Sequence, residues 1–325
     1  MSTRTIVLTA VEDDQILLTH TVLESDGRRY QVAEMGDPQK IERKIDPTSK
    51  DIDDQGELDL AALGEVVAGY IAATKFAPDA AAVSSFGNVS LKTQVITHVP
   101  NGRRRGHVVT YDFPALMRSV TGKRDLPVYV DNDATAAALG EQVWGVGKGV
   151  ADFGYVWFGR GLNVGLVLAN EAWRGEQHPE AGHAYGRIHA DDSHLGNCSI
   201  HRDCFIGLTS HRSILERRET GIDDFKIMEI ISFYLAQICV NVVTSAAPQR
   251  IAIGGYVLRQ NVITNLVPAV RSKFRDLLKH FPHYDALDDL ESFIQEAQTD
   301  PMASLLGLLE NSRRRMSLEL ARSTS

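Results

Sequence analysis

Two β-rich stretches open the chain. Residues 5–11 and 15–23 are dense in aliphatic and β-branched side chains. The polar triplet Glu12-Asp13-Asp14 separates them, so the pattern predicts a hairpin. From Asp59 to Ala73 the apolar positions recur at helical spacing, with glycine among them, and a helix is expected there. The short apolar run Ala80 to Val83 ends at Ser84-Ser85-Phe86-Gly87-Asn88 and reads as a strand entering a glycine turn. Pro114 to Val120 reads as a helix. Leu126 to Val130 reads as a buried strand that runs straight into Asp131-Asn132-Asp133, and the alanine-rich stretch Ala134 to Glu141 follows as a helix.

The second half repeats this logic. Gly154 to Phe158 predicts a strand that enters a glycine-rich turn, Gly159 to Gly165, and Leu166 to Leu168 continues as a strand. Phe225 to Ser245 is a long apolar helix, and Arg250 to Ile253 a strand ending in Gly254-Gly255. Pro268 to Leu278 and Pro301 to Leu320 read as helices with proline in the first turn, where a missing N–H costs little. Strands that end in Gly or Asp turns and feed helices, in both halves, imply two α/β domains with a cleft between them. The division is expected at Asp133, giving domains 1–133 and 134–325.

Composition narrows the function classes. At 325 residues the chain exceeds one ordinary core. Its net charge of -8 argues against a nucleic-acid partner. The runs Arg103-Arg104-Arg105 and Arg313-Arg314-Arg315 read as solvated surface. No apolar h-region opens the sequence and no apolar run approaches the ~20 residues of a membrane span, so no membrane partner is expected. Three cysteines, Cys198, Cys204 and Cys239, do not make a disulfide framework, and a reducing cytoplasm is the expected location.

Three local patterns carry chemistry. Asp131-Asn132-Asp133, between a strand and a helix, suits a helix N-cap, because Asp and Asn accept orphan backbone N–H groups. It equally suits a functional carboxylate at a strand's C-terminal end, where ligands of α/β sheets bind. Glu180 and His183, three residues apart, share one side of a helical turn and suit recognition of several hydroxyls. His189, Cys198, His201 and Cys204 supply four ligands of the kind that close a tetrahedral structural zinc site.

Taken together, VYVDNDATAAALGEQVWG, FGRGLNVGLVL, HPEAGH, the interval from His189 to CSIHRDCFIG, IAIGGYVL and the tail from Phe281 to Leu309 resemble the ROK family of sugar kinases and sugar-responsive repressors, most closely its fructokinase-like branch. The resemblance runs from about Val83 to about Asn311. It implies a two-domain actin-like ATPase fold of the ribonuclease H-like kind, with sugar in the cleft and ATP mainly on the second domain. On it, Asp133 falls on the catalytic base and Asn132 on a sugar-hydroxyl ligand. Glu180 and His183 fall on the sugar-binding pair, with His183 also fixing the zinc-bearing loop. His189, Cys198, His201 and Cys204 fall on the zinc ligands. Gly159, Gly161 and Gly165 fall on the phosphate-facing loop, and Gly254 and Gly255 on the turn against adenosine. The implied activity is ATP-dependent phosphorylation of a fructose- or glucose-type hexose, with Mg²⁺ and a structural zinc. A sugar-sensing regulator without turnover is the alternative, and a homodimer is expected.

The chain departs from the family pattern in four places. No Asp-x-Gly-Gly-Thr-Lys phosphate loop follows the first strands, as though the family's opening strand were missing. Arg160 stands where the second loop carries Thr, and Asn163 and Val164 replace two glycines. Ile206 replaces a sugar-contacting carboxylate, and Asn88 stands where Pro is usual.

Overall fold

The computed structural model describes residues 3–43, 58–99, 108–280 and 288–323. The Arg103–Arg105 run and the beginning of the tail at Phe281 lie outside these residues. The strands are β1 (Thr3–Val11), β2 (Gln15–Ser25), β3 (Tyr30–Met35), β4 (Gln39–Glu42), β5 (Ala80–Ser85), β6 (Asn88–Val89), β7 (Ile96–His98), β8 (Val109–Tyr111), β9 (Val128–Asn132), β10 (Phe153–Phe158), β11 (Leu162–Leu168), β12 (Glu171–Ala172), β13 (Arg250–Gly254) and β14 (Ile294–Glu296).

The expected α/β organisation is present twice. One sheet runs β3-β2-β1-β5-β9, with β4 also paired to β2, and the other runs β12-β11-β10-β13-β14. In the first, β1 is antiparallel to β2 and parallel to β5, which is parallel to β9. In the second, β10 is antiparallel to β11 and parallel to β13, which is parallel to β14. β1 therefore holds in its sheet the place that β10 holds in the other. The expectation of a missing opening strand is corrected: the strand is there, and the three-residue turn Glu12–Asp14 follows it where a glycine loop was sought.

Helices cover the sheets where their apolar faces demand it. Asp59 caps the helix Leu60–Thr74 by accepting from the Ala61 and Ala62 N–H groups. Asp112 caps Phe113–Thr121, and Gly122, with φ near 67°, ends it in the left-handed region that glycine tolerates. Both helices pack on the face of the first sheet formed by Val7, Val83 and Val130. The 23-residue helix Asp224–Ala246 is long and apolar enough to cross a membrane, but two-thirds of that stretch is buried inside the fold against β13 and its neighbours.

The C-terminal helix Ala303–Ser323 returns to the first sheet, where Leu305, Leu309 and Met316 join Ile6 and Leu8 in one core. It also crosses the helix Asp133–Trp144 at very short range. A Cβ on Gly140 would stand 2.0 Å from the Ala303 carbonyl oxygen, and one on Gly307 would stand 1.7 Å from that of Ala136. Pro301 lies two residues before this helix rather than in its first turn. The run Arg313–Arg315 is part of the helix and half-buried, not a solvated run: Arg313 and Arg314 pair with Glu310, and Arg315 sits over the Tyr129 ring at 5.5 Å.

Candidate functional site

The ends of β9 and β10 open on a cleft of about 460 Å³. Asp133 and Asn132 enter it because β9 stops there and a helix begins. Asn132 is the N-cap of Asp133–Trp144, accepting from the Ala134 and Thr135 N–H groups, while its amide nitrogen donates to the Gly87 carbonyl at 3.2 Å. Capping and cleft lining are thus the same residue's work. Asp131 is not part of the site: it accepts from Asn311 Nδ2 at 3.0 Å and pairs with Arg174. Burial pushes the Asp133 carboxyl up to about 7, the nearby Asp13 charge adds to the rise, and the Ala134 N–H at 2.7 Å opposes it.

Glu180 and His183 line the same cleft from a single turn of 3-10 helix, Ala181–His183. A Cβ on Gly182 would lie 1.8 Å from the Leu162 carbonyl oxygen, so this turn sits on β11 closely enough to need glycine. His178 lies beside Glu180. Its Nδ1 accepts the Val89 N–H at 3.2 Å, and its buried Nε2, 3.2 Å from Glu180 Oε1, makes no hydrogen bond.

His183, Cys198, His201 and Cys204 bring one donor atom each within 4.8 Å of all the others. His183 replaces His189 in the expected ligand set. His189 instead has its ring edge-on to Phe233 at 5.2 Å and accepts the Asp191 N–H at Nδ1. From His183 Nδ1 the distances are 3.7 Å to each thiol sulfur and 3.2 Å to His201 Nδ1. Tetrahedral zinc with bonds of about 2.0–2.1 Å to nitrogen and 2.3 Å to sulfur puts N···N near 3.4 Å and N···S near 3.6 Å, so the four groups fit that ion. Hydrogen bonding to Cys204 holds the Cys198 thiol well below the ordinary range. With Nδ1 turned to the sulfurs, the same imidazole keeps Nε2 for the cleft.

The glycines expected against nucleotide have other neighbours. Only Gly161 lines the cleft. Gly165 lies in mid-strand, because β11 begins at Leu162 and the turn is shorter than expected. A Cβ there would meet the Ala134 carbonyl oxygen at 2.0 Å. Gly254 packs on the Tyr155 hydroxyl, and Gly255, at φ 107°, packs on the Phe158 backbone. The Gly255 N–H is accepted by Asp300 Oδ2 at 2.7 Å. Gly159 and Arg160 face Asp13, whose Oδ2 accepts the Arg160 N–H at 3.1 Å. Two further N–H groups of this turn are taken within the chain: Gly159 by the Gly161 carbonyl and Val164 by Asn163 Oδ1. As arranged here, the N–H groups of Gly159, Arg160, Val164 and Gly255 are turned to partners in the chain and do not fit the phosphates of a nucleotide.

A model of the ROK family matches residues 53–309. The chain belongs to the ROK family. A putative fructokinase of Bacillus subtilis (strain 168) is 29% identical over 261 residues, covering 76% of this chain and 83% of that protein. A solved ROK family glucokinase from Streptomyces griseus, in complex with glucose and AMPPNP, superposes with a TM-score of 0.62 at 19% identity, over 96% of this chain and 99% of that one. A ROK family transcriptional regulator, a homologue of the E. coli MLC protein, superposes with a TM-score of 0.66 at 18% identity, over 98% of this chain and 80% of that one. The fold is therefore the ROK sugar-kinase fold of actin-like ATPase type.

This ROK cleft also contains residues that sequence reasoning missed. Asp13, Arg43, His98, Asn163, His211 and Arg212 line it. Burial, with the Arg160 charge behind it, pushes both His98 and His211 down to about 4. His98 comes from the short sheet β6-β7-β8, whose strands are too brief for periodicity to reveal. The Glu12-Asp13-Asp14 triplet was visible as a turn, but nothing in it shows that Asp13 reaches a turn 147 residues away. Ile206 is buried at the cleft wall, as its position in the motif requires.

Proposed function

We propose that this chain is a sugar kinase acting on a hexose of the fructose or glucose type, and that Asp133 takes the proton of the attacking sugar hydroxyl. The observation that carries the reading is the environment of Asp133. Its carboxyl is poised near neutrality by burial, which is where a general base is most effective. Around it stand groups suited to a polyhydroxyl ligand: the amides of Asn88 and Asn132, the Glu180 carboxylate and the His183 ring. The fructokinase relative supports the substrate class. Zinc, when bound, would tie Cys198, His201 and Cys204 to His183 beside the sugar, and four protein ligands make it a structural ion.

A second reading, a sugar-binding regulator that does not turn over, is favoured by the Asp13 carboxylate on the Arg160 N–H. Calorimetric titration of fructose, glucose and mannose, followed by an ATP-coupled turnover assay, separates the two. Sugar binding with turnover supports the kinase; sugar binding alone supports the regulator; no binding of any hexose sinks both.

A further inference from the structure

The Glu12–Asp14 turn is held more firmly than a hairpin turn needs. Arg43 donates from Nη1 to the Glu12 carbonyl at 2.7 Å. Arg259 spans Glu12 Oε2 at 3.5 Å, Asp14 Oδ1 at 2.5 Å and Asp300 Oδ1 at 2.8 Å. Ser304 donates to Glu12 Oε1 at 2.7 Å, so the turn of the first sheet is fastened to the helix that follows β14. Three buried or nearly buried carboxylates on one three-residue turn are costly to desolvate, and each has acquired a partner across the cleft.

The direction in which they point is informative. Backbone N–H groups of a glycine turn at the C-terminal end of a sheet strand are the groups of an α/β fold that take an anion. Here the N–H of Arg160 is taken by the Asp13 carboxylate, and that carboxylate lies so close to Gly159 that a Cβ there would stand 1.9 Å from its Oδ2. The second such group, the Gly255 N–H, is taken by Asp300, which Arg259 joins to the same turn. A carboxylate presents two anionic oxygens to N–H donors much as a phosphate does.

We infer that the Glu12–Asp14 turn is a built-in occupant of the phosphate end of the cleft, with Asp13 in the place an anionic group of a nucleotide would take. The folded chain is thereby closed to a triphosphate while its sugar end stays open. Repulsion adds to occupancy: a phosphate brought to Arg160 would meet Asp13 and, beyond it, Asp133. Phosphoryl transfer then requires the turn to leave, so the device regulates the site of the kinase reading and rests on that reading of the cleft.

Calorimetry of ATP, ADP and adenosine on the full chain tests it. In the wild type, ATP is expected to bind no more than about threefold tighter than adenosine. In Asp13→Ala, ATP is expected to gain at least tenfold over wild type while adenosine is unchanged. ATP binding a hundredfold tighter than adenosine in the wild type, about 2.7 kcal/mol, overturns the inference without any variant. So does an Asp13→Ala protein, folded by circular dichroism, whose ATP affinity has not moved. Should Asp13→Ala not fold, Asp13→Asn removes the charge at constant size and is held to the same tenfold gain. Fructose or glucose titrated into the same samples keeps the two ideas apart. Loss of all sugar binding counts against the kinase reading, whereas the ATP-to-adenosine ratio alone decides the plug.

Discussion

The Nδ1 atoms of His183 and His201 stand 3.2 Å apart, with two thiol sulfurs 3.7 Å from the first of them. Two imidazoles at that distance beside buried thiols are arranged for a shared cation. The purified protein is expected to carry one tightly held zinc per chain. His183→Ala and Cys198→Ser should release it and lower the melting temperature, whereas His189→Ala should keep it. Elemental analysis of the three variants checks this, and zinc lost from His189→Ala but retained in His183→Ala would reverse the ligand assignment.

Asp133→Asn keeps the volume and the capacity to accept the Ala134 N–H but removes the basicity. Turnover of any hexose that the wild type phosphorylates should fall by about 10²–10⁴, the range of a general base, while hexose affinity changes little. Wild-type activity should rise with pH through about 7 as the carboxylate is freed. A variant within tenfold of wild type in kcat would remove Asp133 from the role.

The same raised carboxyl has a consequence for stability. The folded state holds the Asp133 proton up to about 7, the unfolded chain releases it near 3.8, so between these values the folded state binds more protons and stability falls as pH rises. Asp133→Asn should therefore melt higher than wild type at pH 8 and about level with it at pH 4. Each kcal/mol recovered is worth about 2–4 °C in a domain of roughly 150–250 residues. Scanning calorimetry at the two pH values reads the difference, and an equal shift at both would assign the effect to something other than ionisation.

Arg259 joins Glu12, Asp14 and Asp300. Arg259→Met leaves these carboxylates without their cation, and breaking a buried pair in this way typically costs about 3–5 kcal/mol. The loss should be larger at pH 8 than at pH 5, because Glu12, already pushed up to about 8 by burial and the Asp300 charge, is protonated at the lower value. Urea unfolding at both pH values measures it. A pH-independent loss would point to packing alone.

Gly307→Ala places a methyl 1.7 Å from the Ala136 carbonyl oxygen, an atom that belongs to helix backbone and has nowhere to go. The two helices must separate, and overpacking of this kind costs about 1–3 kcal/mol. Gly69→Ala, in an open position on the helix Leu60–Thr74, is the control and should be neutral or stabilising. The midpoints of urea unfolding compare them.

Much of this protein was legible from local pattern. The hairpin of β1 and β2, the helix Leu60–Thr74, the long helix before β13 and the carboxylate at the end of β9 all follow from periodicity, capping and turn chemistry, which act over a few residues. The ROK motifs likewise lie in short contiguous stretches. What only the tertiary structure decided spans long separations. His183 rather than His189 completes the metal cluster because the Ala181–His183 turn, seated on β11, aims its Nδ1 at the thiols, while His189 is drawn against Phe233. Gly165 serves close packing against Ala134 because β11 starts earlier than its glycines suggested. Asp13 reaches the Arg160 N–H because the turns that follow β1 and β10, in two sheets of like topology, meet at the cleft. Sequence spacing constrains which neighbours along the chain share a face, but donor atoms from distant strands meet only where packing of the two cores sets the distance between them.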